Sequence, residues 1–549
     1  MTLSEIRNPH STFRRLWPWL AAVLSGTLLT LCFPPWNQGW LCWIALTPLA
    51  AAAFQPGGRW RRAAQGYVAG FIFIASTFWW LSSLAGLYQN PWLLSLPLLL
   101  ALYMGLYLAF WTWLLGEMLA VFDPARAFNR SLRNLALGTL GASAWVAHEW
   151  VRERLFGGFG WNPLGVALHR DLAMIQIAEV TGTPGLSWLV AFVNLMGVII
   201  VRRIAGELGP AFSRRIRWEF SLTMALIALV FAFGIRRLLH PEAAEDFPLR
   251  VVAVQPNIPQ TDKFDPDAED HVLAQIEQLT KLAILGQPAP QLVLWPESAM
   301  PRGMFADERN FRFVMDLAQQ GDFGLLLGTV EFDPDKREDY NTAVLLTGRG
   351  SGHQSYRKIH LVPFGEYLPL RPVFGRFLGE LVPGDFTPGR EYTLLHLPEP
   401  SADLAVLICF EDTLGDLTRH FALQGAQVLV NITNDGWFAQ SPAAEQQLAN
   451  ATLRAVENRR PLIRCGNTGV TAEVLPTGQV DRWLPPFQQG FAAREIRVPK
   501  HPRATFYTRH GDWLSHVAIA VSLAMLALVF VRRLRAGTGQ RPADQPLSS

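Results

Sequence analysis

Long hydrophobic runs that carry almost no charge fill most of the first 240 residues, and one more lies near the C-terminal end. A helix needs roughly 20 residues to cross the hydrocarbon core of a bilayer, and most of these runs approach that length. The pattern therefore predicts a multi-span α-helical membrane domain with about eight helices, seven before an inserted segment and one after it. The runs lie at residues 16–33, 40–54, 66–86, 92–121, 135–151, 180–201, 220–238 and 514–531.

The inserted segment follows a different pattern, in which short β-rich runs alternate with amphipathic helical stretches. Such an alternation predicts an α/β layered domain whose strands are buried on both faces. In such sheets chemistry gathers at the carboxyl ends of the strands. The β-rich runs are 249–258, 291–298, 323–332, 340–347, 404–410, 426–433 and 462–475, and the helical stretches are 267–285, 307–320 and 443–460.

These two patterns divide the chain into four parts. Residues 1–240 form the membrane domain with seven helices, 246–505 the inserted α/β domain, 512–535 the eighth helix, and 536–549 a tail. Hydrophobic residues make up 50% of the chain, which is too high a share for an ordinary soluble enzyme.

Arginine clusters predict the side of the membrane on which each part lies. The clusters fall on alternate sides of successive runs, and the positive-inside rule assigns all of them to the cytoplasm. Both termini are then cytoplasmic, and the inserted domain is periplasmic in a Gram-negative bacterium. The net charge of +3 follows from these arginines and gives no reason to expect a nucleic-acid partner. The clusters occupy residues 14–15, 59–62, 126–133, 202–217 and 532–535; Arg236 and Arg237 run against the rule.

Three residues that can carry chemistry follow strand-like runs of the inserted domain. Glu297, Lys358 and Cys409 supply a carboxylate, an ammonium and a thiol, which is the minimum set for acyl transfer through a thioester. Each has a structural alternative: a loop cap for Glu297, a surface position for Lys358, and simple packing for Cys409. The chain has only five lysines among its 48 basic lysine and arginine residues, so a lysine at position 358 is itself informative.

The other three cysteines give no sign of a metal site. Cys32 and Cys42 flank the first outer turn, and whether they pair stays open, while Cys465 lies in an apolar run and is interpreted as structural. No cysteine and histidine spacing matches a zinc site. The sequence therefore predicts no metal and no cofactor.

Four motifs resemble the nitrilase superfamily, whose catalytic residues occur as Glu, Lys and Cys in that chain order. They are WPES (295–298), YRKIHLVPFGEYLP (356–369), ICFED (408–412) and NITNDGWF (431–438). The membrane frame and the segment GGFGWNPLG (157–165) are similar to the apolipoprotein N-acyltransferases, a membrane-embedded branch of that superfamily. The resemblance covers residues 16 to 531 and implies a nitrilase-like layered sandwich for the inserted domain.

The resemblance implies a role for five residues of these motifs. Glu297 is expected to be the general base, Lys358 to stabilise the tetrahedral oxyanion, and Cys409 to be the acylated nucleophile. Glu366 matches an assisting glutamate that orients Lys358 and the thiol, and Glu411 matches a further functional acid.

Phe410 stands where the family often has tyrosine, so a role for a phenolic hydroxyl is in doubt there, while its ring and its backbone N–H remain available to the site. Asp412 is interpreted as a turn or cap residue. Contacts with the substrate or with a lid are expected for four more residues, namely Phe264, Tyr367, Asn434 and Trp437.

The implied reaction is a ping-pong acyl transfer in the bacterial inner membrane. Cys409 is expected to take an acyl chain from a phospholipid, with phosphatidylethanolamine as the expected donor. It then passes the chain to the α-amino group of the N-terminal diacylglyceryl-cysteine of an apolipoprotein, the last step of lipoprotein maturation. The apolar stretch 367–386 is interpreted as a lid for lipid tails, with a structural loop as its alternative.

Two other classes of protein compete with this interpretation. A membrane-tethered amidase or nitrilase would use the same three residues on a small C–N substrate, but it has no need of seven preceding spans. A non-enzymatic transporter or receptor would carry charges inside its spans and an incomplete set of site residues. Few charges lie inside the spans and the set is complete, which favours the acyltransferase.

Overall fold

A computed structural model describes residues 9–121, 130–207, 218–240, 245–263, 265–378 and 384–538 of the chain. Each of the seven hydrophobic runs of the first 240 residues is helical over most of its length. The α-helices there are Pro9–Leu31 (α1), Cys42–Ala45 (α2), Thr47–Ala53 (α3), Arg59–Thr77 (α4), Leu84–Leu87 (α5), Leu96–Val121 (α6), Arg130–Arg152 (α7), Leu172–Ile175 (α8), Ala178–Glu207 (α9) and Trp218–Leu239 (α10).

Four helical segments in the described part of the chain are long and apolar enough to cross a bilayer. They are Pro91–Val121, Ala178–Ala205, Trp218–Leu239 and Trp513–Leu534. A helix pair bent by 52°, Arg59–Thr77 with Trp79–Leu87, makes a fifth if it is one span. These helices support a membrane domain, whereas the count of about eight spans stays a prediction. The run 40–54 folds into short helices. Together they form the helical stretch Gly39–Ala53, which is itself too short to cross a bilayer.

The inserted domain contains two six-stranded sheets, in the strand orders β12-β1-β2-β3-β4-β5 and β11-β10-β9-β8-β7-β6. The strands are Asp246–Gln255 (β1), Leu292–Leu294 (β2), Gly324–Asp333 (β3), Glu338–Thr347 (β4), Gly352–Arg357 (β5), Leu394–Leu397 (β6), Ala402–Ile408 (β7), Val428–Thr433 (β8), Leu462–Gly466 (β9), Thr471–Val474 (β10), Val480–Leu484 (β11) and Gly490–Pro499 (β12). The remaining α-helices are Gln260–Lys263 (α11), Glu269–Ile284 (α12), Glu308–Ala318 (α13), Arg371–Leu378 (α14), Gly415–Leu423 (α15), Ala443–Asn458 (α16), Phe506–His510 (α17) and Trp513–Thr538 (α18).

Alternating side chains of the central strands enter two different layers of the core, because successive residues of a strand point to opposite faces. On β1, Val251 and Ala253 pack in the cluster shared with the second sheet. Val252 and Val254 pack in the cluster formed with α12 and α13. The central pairs β1–β2, β2–β3, β7–β8 and β8–β9 are parallel. This layered α/β architecture confirms the prediction of strands that are buried on both faces.

Two predicted strand runs differ from the structure at polar or proline positions. The run 462–475 forms two antiparallel strands, β9 and β10, because the chain turns at residues 467–470 between them. The run 291–298 is a strand only over Leu292–Leu294, and it ends just before Trp295 and Pro296. Proline has no N–H for the ladder, and this early end brings Glu297 to the carboxyl edge of the sheet.

Helix α16 joins the inserted domain to the membrane domain, residues 1–240 (the membrane half), through buried polar contacts. The Oε1 atom of Glu457 accepts from the Thr183 N–H at 2.8 Å and from the Thr183 hydroxyl at 2.7 Å, and Thr183 belongs to α9. The Arg454 guanidinium lies 2.8 Å from both oxygens of the same carboxylate. Burial makes these contacts necessary, since an isolated charge at this depth would be strongly unfavourable.

Replacement of Glu457 by alanine should destabilise the protein, because the Arg454 guanidinium would stay buried without its carboxylate. We expect Glu457→Ala to lower the free energy of unfolding by about 3 kcal/mol, measured as a lower thermal unfolding temperature in detergent. The matched control is Glu445→Ala on the same helix, whose ion pair with Arg482 is partly exposed and should contribute at most about 1 kcal/mol. Equal losses in the two variants would contradict this account.

Candidate active site

Cys409 begins the short 3-10 turn Cys409–Thr413 that follows β7. Its φ of 52° lies in the left-handed region, which is strained for a residue other than glycine. The Cys409 carbonyl accepts hydrogen bonds from the Asn431 side chain at 2.9 Å and from the Gln447 side chain at 2.7 Å. These two contacts hold the strained turn, so the thiol has a fixed place at the carboxyl end of the strand.

Lys358 lies in the loop after β5, and its side chain is only 1% exposed. Its Nζ atom lies 2.9 Å from both carboxylate oxygens of Glu366 and 3.7 Å from the Oε1 atom of Glu297. Burial lowers the pKa of Lys358, but the carboxylates of Glu366 and Glu297 outweigh it and raise that pKa above its ordinary value. Lys358 is therefore a permanent ammonium inside the protein.

Asn341, on β4, connects the two carboxylates around this ammonium. Its Nδ2 atom donates to Glu297 Oε1 and to Glu366 Oε1, both at 2.8 Å. Its main-chain carbonyl accepts from the main-chain N–H of Lys358 at 2.8 Å. The other oxygen of Glu297 accepts from the Asn434 N–H at 3.1 Å. Nothing in the sequence motifs points to Asn341; the one available signal is an amide shortly before the apolar run of β4.

The Cys409 thiol is neutral at rest in this environment. Burial, followed by the Glu297 carboxylate, raises the pKa of the thiol well above its ordinary value, and Lys358 opposes the effect. A thiolate is therefore not available beforehand, and a nucleophilic reaction of this thiol would require a base. The structure brings one carboxylate, Glu297, and one cation, Lys358, together at 3.7 Å near the thiol.

Glu411 fastens the Lys358 loop to the strand that precedes Cys409. Its carboxylate is fully buried, and burial raises its pKa to about 7. It accepts hydrogen bonds of 2.8 to 3.1 Å from described residues of three segments. The donors are the Ile359 and His360 N–H groups of the Lys358 loop, the Ile408 N–H of β7 and the Tyr356 hydroxyl of β5. Glu411 therefore positions the ammonium and the thiol relative to each other.

Phe410 and Asp412 also lie in the Cys409–Thr413 turn, and both are buried. The Phe410 ring stacks on Trp161 of the 157–165 segment at 5.6 Å between centroids and on His360 at 5.7 Å. Asp412 lies in this turn, as predicted. Its carboxylate also forms a fully buried ion pair with Arg464 at 2.7 Å. The turn is thus joined to the membrane half by one residue and to β9 by another.

Three of the four expected contact residues lie in the described part of the chain, each in different surroundings. Phe264 lies outside the described residues. Asn434 is buried and holds Glu297, as given above, and Trp437 lies in the turn Asp435–Phe438. The Tyr367 hydroxyl lies against the 157–165 segment so closely that a Cβ atom at Gly157 would be 2.6 Å from it.

The cysteines and acidic groups of the described ranges give no metal centre. No group of three or more histidine, cysteine, aspartate or glutamate residues is arranged to hold a metal ion there. Cys32 and Cys42 are both buried and free, and so is Cys465.

The two-sheet domain matches a family of enzymes, the carbon-nitrogen hydrolases. Residues 250–496 match the family described as "Carbon-nitrogen hydrolase", and residues 25–196 match "Apolipoprotein N-acyltransferase N-terminal domain". Nit3 of Saccharomyces cerevisiae, a solved nitrilase-superfamily structure, aligns with 48% of this chain and 93% of its own at 18% identity and a TM-score of 0.36.

Relatives named apolipoprotein N-acyltransferase match almost the whole chain. The protein of Geobacter metallireducens is 34% identical over 522 residues, which cover 94% of this chain and 96% of that protein. The Brucella suis protein is 31% identical with the same coverage, and the Thermotoga maritima protein is 28% identical over 96% of each chain. The chain belongs to the apolipoprotein N-acyltransferase family.

Replacement of Asn341 by aspartate should disable the site without changing its shape. The change puts a third carboxylate beside Glu297 and Glu366 and removes the donor that both share. We expect Asn341→Asp to lower the rate of Cys409 acylation by about a hundredfold, measured with a phospholipid labelled in its acyl chain. Asn310→Asp, a buried asparagine on α13 far from the Lys358 loop in sequence, serves as the control for general damage. Unchanged acylation in Asn341→Asp would show that the shared donor is dispensable.

Proposed function

We propose that this protein transfers an acyl chain from a phospholipid to the α-amino group of the N-terminal diacylglyceryl-cysteine of apolipoproteins, through a thioester at Cys409. Membership of the family supports the acceptor. The observation that carries the mechanism is the buried Lys358 ammonium, which lies within 4 Å of Glu366 and Glu297 beside a neutral thiol. Such a group stabilises an oxyanion without reorganisation at the moment of reaction.

In the first half-reaction the Cys409 sulfur attacks the ester carbonyl of the phospholipid. The thiol proton passes to Glu297, and the negative charge that develops on the carbonyl oxygen is stabilised by Lys358 and by the Phe410 N–H. Collapse of the tetrahedral intermediate breaks the ester C–O bond. The lysophospholipid leaves as an alcohol with the proton from Glu297, and the acyl chain remains on Cys409.

In the second half-reaction the α-amine of the acceptor attacks the thioester. Glu297 takes a proton from the attacking nitrogen, and Lys358 again faces the oxyanion. Collapse now breaks the C–S bond, which gives the amide, and Glu297 returns its proton to the Cys409 sulfur. Water must be excluded between the two half-reactions, because it would hydrolyse the waiting thioester.

The membrane half is part of this proposal because both substrates carry fatty chains. Withdrawal of a chain from the bilayer costs about 0.8 kcal/mol per methylene, so the thiol must lie close to the membrane surface. A continuous group of aromatic rings supports that placement, with Phe410 on Trp161, Trp161 5.6 Å from Trp80, and Trp80 4.5 Å from Phe438. We place the inserted domain in the periplasm and both termini in the cytoplasm of a bacterial inner membrane, with phosphatidylethanolamine as donor.

The stretch 367–386, of which residues 379–383 lie outside the described part of the chain, is proposed as the lid that admits the lipid tails. Leu370 and Val373, at the start of α14, expose 66% and 61% of their surface. Arg371 pairs with Asp385 at 2.6 Å, so the two ends of the stretch are joined by an ion pair on the surface. A surface ion pair contributes little stability, which suits a segment that has to open.

An acyl label should appear on Cys409 when the purified protein is incubated with a phospholipid labelled in its acyl chain. A thioester is cleaved by hydroxylamine, so the label should be lost on that treatment. Cys409→Ala should take up no label. Cys465→Ala keeps the proposed nucleophile, since Cys465 is a separate buried free cysteine, and should be labelled like the wild type. Labelled Cys409→Ala protein would refute the mechanism.

Lys358→Arg should be inactive although it keeps the positive charge. The buried site is filled by a compact ammonium between two carboxylates, and a planar guanidinium has neither the size nor the geometry to replace it. We expect the acylation rate to fall by a factor of about 10² to 10³. Lys336→Arg changes an exposed lysine in the same way and should leave the rate unchanged. Full activity of Lys358→Arg would remove Lys358 from the oxyanion role.

A further inference from the structure

Two of the five lysines are buried, and both lie at the proposed active site. Lys263 and Lys358 are each only 1% exposed. The side chains of Lys281, Lys336 and Lys500 are 49%, 59% and 50% exposed. A lysine is almost never buried without a specific partner. The proposed reaction uses Lys358 and gives no task to Lys263.

Lys263 lies at the end of α11, in a segment that is fastened to the strand ends of the site. Its Nζ atom donates to the main-chain carbonyl of Glu297 at 2.9 Å. The same short helix begins at Gln260, whose side chain accepts from the Asn434 amide at 2.8 Å, and Asn434 in turn holds the Glu297 carboxylate. Lys263 therefore holds the main chain of Glu297, and Asn434 holds its carboxylate.

The Lys263 ammonium is close enough to Glu297 and Cys409 to interact with their charges. Burial lowers the pKa of Lys263 to about 7, and the Glu297 carboxylate and a Cys409 thiolate oppose this effect because negative charge favours the ammonium. The described residues place no carboxylate oxygen within ion-pair distance of its Nζ atom, in contrast to Lys358 with Glu366 at 2.9 Å. The thiol itself also faces Glu297, Lys358 and Asp435.

We propose that Lys263 is a positioning residue of the acyl-transfer site, which anchors the main chain of Glu297 and adds a second positive charge beside Cys409. Lys358 keeps its charge because a carboxylate accompanies it. Among the described residues, the one hydrogen-bond partner of the Lys263 ammonium is the Glu297 carbonyl, so that ammonium is stabilised when negative charge appears on the thiol. The inference rests on the proposed function for the meaning of that charge, while its test uses the reactivity of the thiol alone.

The test is the rate at which iodoacetamide alkylates Cys409 in the full-length protein in detergent, followed by mass spectrometry of the Cys409 peptide over a range of pH. In Lys263→Met the lost positive charge disfavours the thiolate and raises the thiol pKa. Below that pKa the rate follows the thiolate fraction, so we expect about a tenfold lower rate at pH values below about 7, where Lys263 is charged in the wild type, and a smaller difference above that pH. Lys281→Met, the exposed control, should match the wild type.

Lys263→Arg keeps a positive charge at every pH and completes the test. It should alkylate at least as fast as the wild type, and the inflection near pH 7 expected in the wild-type profile should be absent. If thermal unfolding shows that Lys263→Met does not fold, the comparison of the wild-type and Lys263→Arg pH profiles still tests the role of the Lys263 charge. A wild-type rate in folded Lys263→Met below about pH 7, or a tenfold loss in Lys263→Arg, would overturn the inference. If the wild-type protein took up no acyl label from phospholipid, the proposed function would be refuted, whereas the expected difference in alkylation rate between the wild type and the Lys263 variants would remain.

Discussion

The burial of the Lys358 ammonium is the constraint on which the rest of the site depends. A charge withdrawn from water at this depth costs several kcal/mol unless carboxylates and hydrogen bonds replace its hydration. Glu366 contacts it through both oxygens, Glu297 lies 3.7 Å away, and Asn341 connects the two carboxylates. The groups that neutralise the ammonium come from different strands and loops, so the chemistry and the local fold are stabilised by the same contacts.

The second constraint is the position of Cys409 against the membrane half. The turn that begins at Cys409 continues with Phe410, which stacks on Trp161, while Glu457 of α16 receives three hydrogen bonds that involve Thr183 or Arg454. These contacts connect a strand end in the α/β domain with helices that are apolar enough to span a bilayer. An enzyme that acts on substrates with fatty chains requires this connection, because neither substrate leaves the membrane cheaply.

The sequence predicts the parts of the site that follow apolar strand runs. Glu297 and Cys409 are recognisable because each polar group interrupts a buried run, and Lys358 because lysine is rare in this chain. The rarity of lysine marks Lys263 as well, but its role and that of Asn341 are not recognisable, since they arise from the approach of α11 to Glu297 and from the pairing of β4 with the Lys358 loop. The span count is also not fixed by hydropathy, because the run 40–54 folds into short helices.

The most direct test of a two-step transfer through Cys409 separates the two half-reactions in time. The purified protein is incubated with a phospholipid labelled in its acyl chain, freed of lipid, and then given a peptide with an N-terminal diacylglyceryl-cysteine. The account predicts that the label leaves the protein and appears as an amide on the α-amine of the peptide, with no phospholipid present. A label that stays on the protein, or that reaches the peptide only when phospholipid is added back, would contradict it.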